Sequence, residues 1–338
     1  VRSKQGDLMD KETILAAIDA LDAGKTPVFT TEDVPAFDEE ATRGNEHVSP
    51  ASLDAIMGSL TRADIPTLER AVRAIDEGDL AWLGFKVVYD PALAVNNVDN
   101  AVTKKYGDVG SADGDPLLFF CNDAKEIVCS RPVSDRDVFQ MKDVTRGPSM
   151  HNEQFEGLTW ASVALFDPVR VWLLGASDVA VELAKLATHV GFDVTVVDND
   201  AAYLNERRFP GVERILLSTE DFSALDGYAA SPADYVCVLT RGHMYDPECC
   251  IWAERCNAHY VGMMGCAGKN GTVYEIVRAA GLTEKQWEHV KRPIGLKFGA
   301  KTPAELAIAI VAELIDVRYI QRYDAEARER HERGLGRK

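Results

Sequence analysis

The order of residues from Val169 to Asp198 constrains this chain more than any other feature. Val169–Leu174 is apolar apart from Arg170, the pattern of a strand buried on both faces. Gly175 ends it. Val179–Val190 then places apolar Val179, Ala180, Leu183, Leu186 and Ala187 at helical spacing. Phe192–Val197 is a second buried strand, closed by Asp198. Strand, glycine turn, helix, strand and terminal carboxylate is the order of a Rossmann βαβ unit.

The alternation continues. Arg214–Leu217 reads as a third strand and Tyr235–Leu239 as a fourth, followed by a helix over Pro247–Asn257. Tyr260–Met264 reads as a fifth strand, followed by a helix over Gly271–Ala280. Such spacing predicts a parallel α/β sheet. Thr302-Pro303-Ala304-Glu305 is a capping box with proline in the first turn. It opens a helix to about Tyr323, with Leu306, Ile310, Leu314 and Val317 on one face.

The first half is less regular and reads as α+β. Helices are expected over Lys11–Ala23, Ser52–Leu60 and Pro66–Asp76, the last capped by Asp64 or Thr67. Strands are expected over Pro27–Thr30, Leu80–Tyr89 and Pro116–Val128, with loops over Thr31–Ser49 and Asn96–Gly114. The organisation predicted is an α+β domain over residues 1–145, a linker over 146–167 around Gly147-Pro148, a Rossmann-like domain over 168–323 and a charged tail over 324–338. A length of 338 residues suits about two domains.

Composition narrows the function classes. Acidic residues number 54 against 37 basic, a formal charge of -17, so the surface repels phosphate backbones and no nucleic-acid partner is expected. No apolar run approaches the roughly 18–20 residues of a membrane span, and Val1–Asp10 has no signal-peptide core, so no membrane partner is expected. Seven cysteines, without a CxxC pair, point to reduced thiols in a cytoplasm. Cys249, Cys250 and Cys256 read as small buried helix residues rather than a metal cluster, and no metal site is expected. His151, His189, His259 and His289 lack ligand spacing.

Gly175-Ala176-Ser177-Asp178-Val179-Ala180 occupies the place of the dinucleotide fingerprint G-x-G-x-x-G/A. Asp198, roughly 20 residues on, stands where a carboxylate binds ribose hydroxyls. Two details differ from the fingerprint. Ser177 puts a Cβ, or a hydroxyl donor, where backbone normally approaches pyrophosphate. Asp178 suits the helix dipole but repels a phosphate that competes for the same amides. A working nucleotide loop and a retained scaffold both satisfy this pattern. Thr240, Arg241 and His243 follow the fourth strand, at the edge where open α/β sheets bind ligands. Arg241 is a bidentate phosphate partner or a loop ion pair, for example with Asp246. Gly265, Cys266, Lys269 and Asn270 follow the fifth strand. Lys269 and Asn270 suit an anion, and Cys266 suits either a small turn residue or a persulfide carrier.

Four segments together resemble the XdhC/CoxI family of xanthine dehydrogenase accessory factors. They are Val171–Ala180 with Thr195–Asp198; Val238-Leu239-Thr240-Arg241-Gly242-His243, similar to V-x-T-H-x-H; Tyr260-Val261-Gly262-Met263-Met264-Gly265-Cys266; and Pro293–Ala307, similar to P-I-G-L-x-I-G-A-x-T-P-x-E-I-A. The resemblance covers about residues 168–320. It implies an accessory factor without turnover of its own, which binds molybdenum cofactor, as molybdopterin or its dinucleotide form, and supports its sulfuration or insertion. It implies a molybdenum hydroxylase apoenzyme as partner, with a cysteine desulfurase and a second copy of the chain as further candidates. The cofactor-binding residues expected are Gly175, Ala176, Ser177, Asp178, Asp198, Thr240, Arg241, His243, Gly265, Cys266 and Lys269. The departures are Asp178 for the fingerprint His, Arg241 for the first His of T-H-x-H, and an N-terminal half without the family's G-G-C-x-E. Two rival readings are an NAD-dependent oxidoreductase, for which Asp198 favours NAD over NADP, and a scaffold with a degenerate nucleotide crevice.

Overall fold

The computed structural model describes residues 9–38, 48–88, 117–133, 138, 141–142, 158–265, 267–323, 325 and 328–329. The chain divides into two compact units, Val1–Asp167 and Pro168–Lys338. The expected loop over Asn96–Gly114, the Gly147-Pro148 stretch, Cys266 and most of the charged tail lie outside the described residues.

The first unit holds helices α1 (Lys11–Asp22), α2 (Pro50–Ser59) and α3 (Ile65–Glu77) and strands β1 (Ala81–Val88), β2 (Leu117–Asn122), β3 (Ile127–Cys129) and β4 (Leu158–Ala164). The strands form an antiparallel sheet in the order β3-β2-β1-β4. Apolar helix residues Ile14, Leu21, Leu53, Ile56 and Leu68 pack with Leu83, Phe85 and Phe120 into one core. On the other face Gly84 lies opposite Phe119. A Cβ at Gly84 would fall 2.1 Å from the Phe119 ring, so the glycine is what admits that aromatic.

Three expectations for this half change. Asp64 precedes α3, but its carboxylate turns back to accept from the Thr61 amide at 2.8 Å rather than capping the helix. Pro27–Thr30 is not a strand: Phe29 is buried, Val28 is 72% exposed, and the stretch joins no sheet. Part of the expected 146–167 linker is β4, which pairs along its whole length with β1. That pairing spans roughly seventy residues of sequence or more, so nothing local to Leu158–Ala164 announces it.

The second unit holds β5 (Arg170–Leu174), α4 (Asp178–His189), β6 (Asp193–Asp198), β7 (Glu213–Leu216), β8 (Tyr235–Val238), α5 (Asp246–Arg255), β9 (Tyr260–Met263), α6 (Ala267–Ala279), α7 (Glu284–His289) and α8 (Pro303–Arg322). All five strands are parallel, in the order β7-β6-β5-β8-β9. Alternate side chains enter opposite cores, as a period of two requires. Val171, Leu173, Val194, Val196, Tyr235 and Cys237 pack with Leu183, Ala187, Ile310 and Leu314 of α4 and α8. Trp172, Leu174, Val236, Val238, Val261 and Met263 pack with Cys249, Cys250, Trp252, Val277 and Trp287 of α5, α6 and α7. The expected Rossmann-like sheet is therefore present, with helices on both faces.

The outer side of β9 is covered by a short returning segment. The Lys291 carbonyl accepts from the Met263 amide at 2.8 Å, its amide donates to Val261 at 2.8 Å, and the Ile294 amide donates to Met263 at 2.9 Å. Two elements differ from the sequence reading. α6 begins at Ala267, four residues early, because Gly268 and Gly271 are absorbed into the helix at roughly 1 kcal/mol each. α7 has no counterpart in that reading, although Thr283 and Gln286 form its capping box.

His289, at the end of α7, joins Nδ1 to buried Glu254 Oε1 at 2.8 Å. That hydrogen bond raises its pKa, against a smaller opposing effect of burial. A raised folded-state pKa adds stability that is complete below the ordinary value near 6.5 and fades as pH climbs through the folded value. His289→Gln should therefore lower the thermal midpoint more at pH 6 than at pH 8.5. With the side chain 41% exposed, the difference should be about 1 kcal/mol or less. Equal losses at both pH values would show that the imidazolium contributes nothing.

Candidate functional site

The strand order reverses between β5 and β8, one neighbour being reached through α4 and the other from the far side of the sheet. In open α/β sheets the crevice at the carboxyl ends of two such strands is where ligands bind. Here the loop after β5 begins with Gly175 and the loop after β8 with Leu239 and Thr240. Gly175 has φ +111°, and a Cβ there would stand 2.5 Å from the Leu239 carbonyl and 2.6 Å from Thr240 Cα. The glycine thus lets two loop backbones touch at the base of the crevice, a role independent of any phosphate. Its amide donates to Val197 at 2.8 Å, tying the same point to β6.

Asp198, at the end of β6, is 1% exposed. Its Oδ2 accepts from the Ala176 amide at 2.6 Å. Its Oδ1 accepts from the Asp200 amide at 2.9 Å and from the Arg241 guanidinium at 3.1 Å. Arg241 also reaches Asp200 at 3.4 Å and lies 3.7 Å over the Tyr203 ring. Burial alone would lower its pKa; the hydrogen bond and charge of Asp198, with the charge of Asp200, outweigh it and hold the group above its ordinary value. Its Nε is buried and has no hydrogen-bond partner among the described residues. Arg241 is therefore an ion-pair residue, with Asp198 and Asp200 as partners rather than Asp246.

Ser177 caps α4, its Oγ accepting from the Ala180 amide at 3.3 Å. Asp178 follows in the first turn, 83% exposed, and pairs with Arg208 at 2.7 Å. Arg208 also donates to the Ala176 carbonyl at 3.0 Å. The loop after β5 is thus held from both sides by two Asp–Arg pairs, Asp178 with Arg208 and Asp198 with Arg241. Arg208 is not among the expected site residues. Its cue in the sequence is weak, a basic residue about ten positions beyond Asp198.

After β8, Asp246 is buried and binds two neighbours. Thr240 Oγ1 donates to its Oδ1, and its Oδ2 lies 2.8 Å from His243 Nδ1. Gly242 and His243 both adopt left-handed backbone, at φ +65° and +63°. This is routine for glycine and costly for histidine, so the Asp246 contact helps to hold His243 there. The structure brings Gly175, Ala176, Ser177, Asp178, Asp198, Thr240, Arg241 and His243 to one edge of the sheet. Gly265 follows β9 on that edge, and Lys269 falls within the first turns of α6.

Cys237, Cys249 and Cys250 are fully buried, and burial pushes each thiol far above its ordinary pKa, so none is a nucleophile at neutral pH. Among the described residues, no group of three or more His, Cys, Asp or Glu side chains is placed to hold a metal ion.

The geometry separates two glycine-loop positions. Gly175→Ala adds a methyl against backbone and forces a side chain onto positive φ, and should cost about 2–5 kcal/mol. Ser177→Gly removes only a cap hydroxyl and should cost a few tenths of a kcal/mol. Urea unfolding of both variants checks this. Similar, small losses would mean that the two loops do not touch in solution.

Residues 171–314 match the family model described as the XdhC Rossmann domain. A Bacillus subtilis (strain 168) protein whose name describes a probable xanthine dehydrogenase subunit is 29% identical over 180 residues, 53% of this chain and 52% of that protein. The uncharacterized protein YqeB of Escherichia coli (strain K12) is 27% identical over 149 residues, 44% of this chain and 27% of that protein. The chain thus spans about half the length of the first curated relative and about a quarter of the second. A solved structure described as a xanthine dehydrogenase from Bacillus halodurans aligns over 77% of this chain and 66% of its own, at 19% identity and a TM-score of 0.43. No helix among the described residues is long and apolar enough to cross a membrane. The parallel sheet, the glycine turn and the match to the XdhC Rossmann domain model fall on the same span, residues 171–314.

Proposed function

We propose that this protein is an accessory factor for a molybdenum hydroxylase of the xanthine dehydrogenase kind, and that its crevice holds an anionic cofactor for delivery. The observation that carries the reading is the XdhC Rossmann match over residues 171–314, reinforced by the name of the Bacillus subtilis relative.

The donor set can be weighed against the cofactor that this role implies. Molybdopterin carries a single phosphate; a dinucleotide form adds a pyrophosphate and a ribose. Arg241 offers a buried Nε–H without an acceptor among the described residues, at the same sheet edge as the N-terminus of α4. A buried donor without a partner costs about 1–3 kcal/mol, and one phosphate oxygen would relieve it. A pyrophosphate laid along the glycine loop would meet the Ser177 Cβ and the Asp178 carboxylate instead. The residues fit a single oxyanion at Arg241 better than a pyrophosphate on the loop. When bound, molybdenum cofactor supplies the redox metal of the client enzyme.

The chain's own residues would then do three things. Arg241 anchors the anion through its part-exposed guanidinium while its stack on Tyr203 fixes the guanidinium plane. Asp246 keeps Nδ1 of His243 engaged, which leaves Nε2 as the ring nitrogen for a ligand at the crevice. The backbone contact at Gly175 keeps the floor of the crevice closed. The nicotinamide-dependent rival is disfavoured by the same geometry, since Asp198 is 1% exposed and already accepts from Ala176, Asp200 and Arg241. A sulfuration step and a cysteine desulfurase partner belong to the same proposal as its finer part.

The test is purification of the full chain, without harsh washing, from a host that makes molybdenum cofactor, followed by oxidation. Pterin fluorescence in the protein fraction is expected, reduced at least several-fold in Arg241→Ala. An apo molybdenum hydroxylase passed over the immobilised chain should be retained. Neither fluorescence nor retention would reject the accessory reading.

A further inference from the structure

Asp198 holds the position that in a dinucleotide-binding Rossmann unit receives the two ribose hydroxyls. Those hydroxyls need free carboxylate oxygens. Here Oδ2 accepts from Ala176 at 2.6 Å, and Oδ1 from Asp200 at 2.9 Å and Arg241 at 3.1 Å. The two amide donors belong to the fixed backbone of the fold. Arg241 is the one side-chain donor among these three, and it arrives from a different strand end. Its guanidinium also covers a face of Tyr203 at 3.7 Å, the aromatic in the same loop on which a base would stack. One side chain thus occupies the place of a sugar against the carboxylate and the place of a base against the ring.

We propose that Arg241 is the specificity-determining residue of this crevice: an internal stand-in for a nucleoside, which keeps ribose-bearing nucleotides off Asp198 and leaves the site to a non-nucleoside oxyanion. The inference rests on the crevice being the ligand site, as read above, and sharpens the class of ligand. The anchoring of Arg241 accounts for its selectivity. A nucleoside would have to break a charge-assisted hydrogen bond, a second carboxylate contact to Asp200 and a cation–π stack before gaining its own two hydrogen bonds. An oxyanion meeting the exposed part of the guanidinium makes no demand on Asp198 and can leave these contacts in place. The Asp198 carboxylate is hence a structural tie that would become a nucleoside receptor if Arg241 were withdrawn.

The experiment measures ADP-ribose binding by titration calorimetry to the full chain and its variants. The wild type should give no saturable heat up to millimolar ligand. Arg241→Ala should gain at least tenfold in affinity, and Arg241→Gln, which keeps the stem, should gain less. The gain should vanish in Arg241→Ala combined with Asp198→Asn. Circular dichroism melts confirm that each variant is folded; if the alanine variant is not, the glutamine variant, alone and combined with Asp198→Asn, carries the comparison. Wild-type binding as tight as that of the variants would overturn the proposal, as would no gain in a folded Arg241 variant, or a gain that survives loss of the Asp198 charge. ADP-ribose contains no pterin and the assay no client enzyme, so failure here is distinct from failure of the accessory role.

Discussion

The carboxylate of Asp198 is the point on which the carboxyl edge of the sheet depends. A buried, ionised oxygen pair is costly unless every acceptor site finds a donor. Here the donors come from the ends of three strands: Ala176 after β5, Asp200 after β6 itself, and Arg241 after β8. The charge therefore fixes three loops at once, and the loop positions in turn let Gly175 meet Leu239 and Thr240 without a Cβ between them. Removing the carboxylate would leave a guanidinium and two amides without this acceptor.

The C-terminal sheet was legible because its central strands read as largely apolar runs, and because two were closed by a glycine or an aspartate. The N-terminal unit was less so, since antiparallel pairing is decided by distant partners. Nothing near Leu158–Ala164 tells that Trp160 will lie opposite Lys86. The placement of the described candidate residues on one sheet edge was also legible, because each follows a buried strand. Their bonding was not. Spacing places Asp198 and Arg241 on the same edge, but only geometry shows that they satisfy each other. Sequence alone likewise leaves Asp178 as a charge repelling phosphate, whereas Arg208, about thirty residues on, pairs with it.

Two of the family-like segments acquire a packing explanation. A Cβ at Gly262 would fall 2.6 Å from both the Ile294 side chain and the Tyr260 hydroxyl. Gly262 in Tyr260-Val261-Gly262 and Ile294 in Pro293-Ile294-Gly295 are thus complementary shapes. Gly295, at φ +92°, lies with its missing Cβ 3.3 Å from the backbone of Ala309 in α8. Motif likeness in these segments reports how β9, the returning segment and α8 fit together, and only indirectly what the crevice binds.

That returning segment has a further consequence. An unpaired edge strand is a template for pairing with a second chain. Lys291 and Ile294 already use the outward amide and carbonyls of β9, and Ile294 is held in the core beneath them. A foreign strand could join at β9 only by peeling away a segment whose buried isoleucine fills the hollow at Gly262. At this edge of the sheet the returning segment thus closes off strand addition.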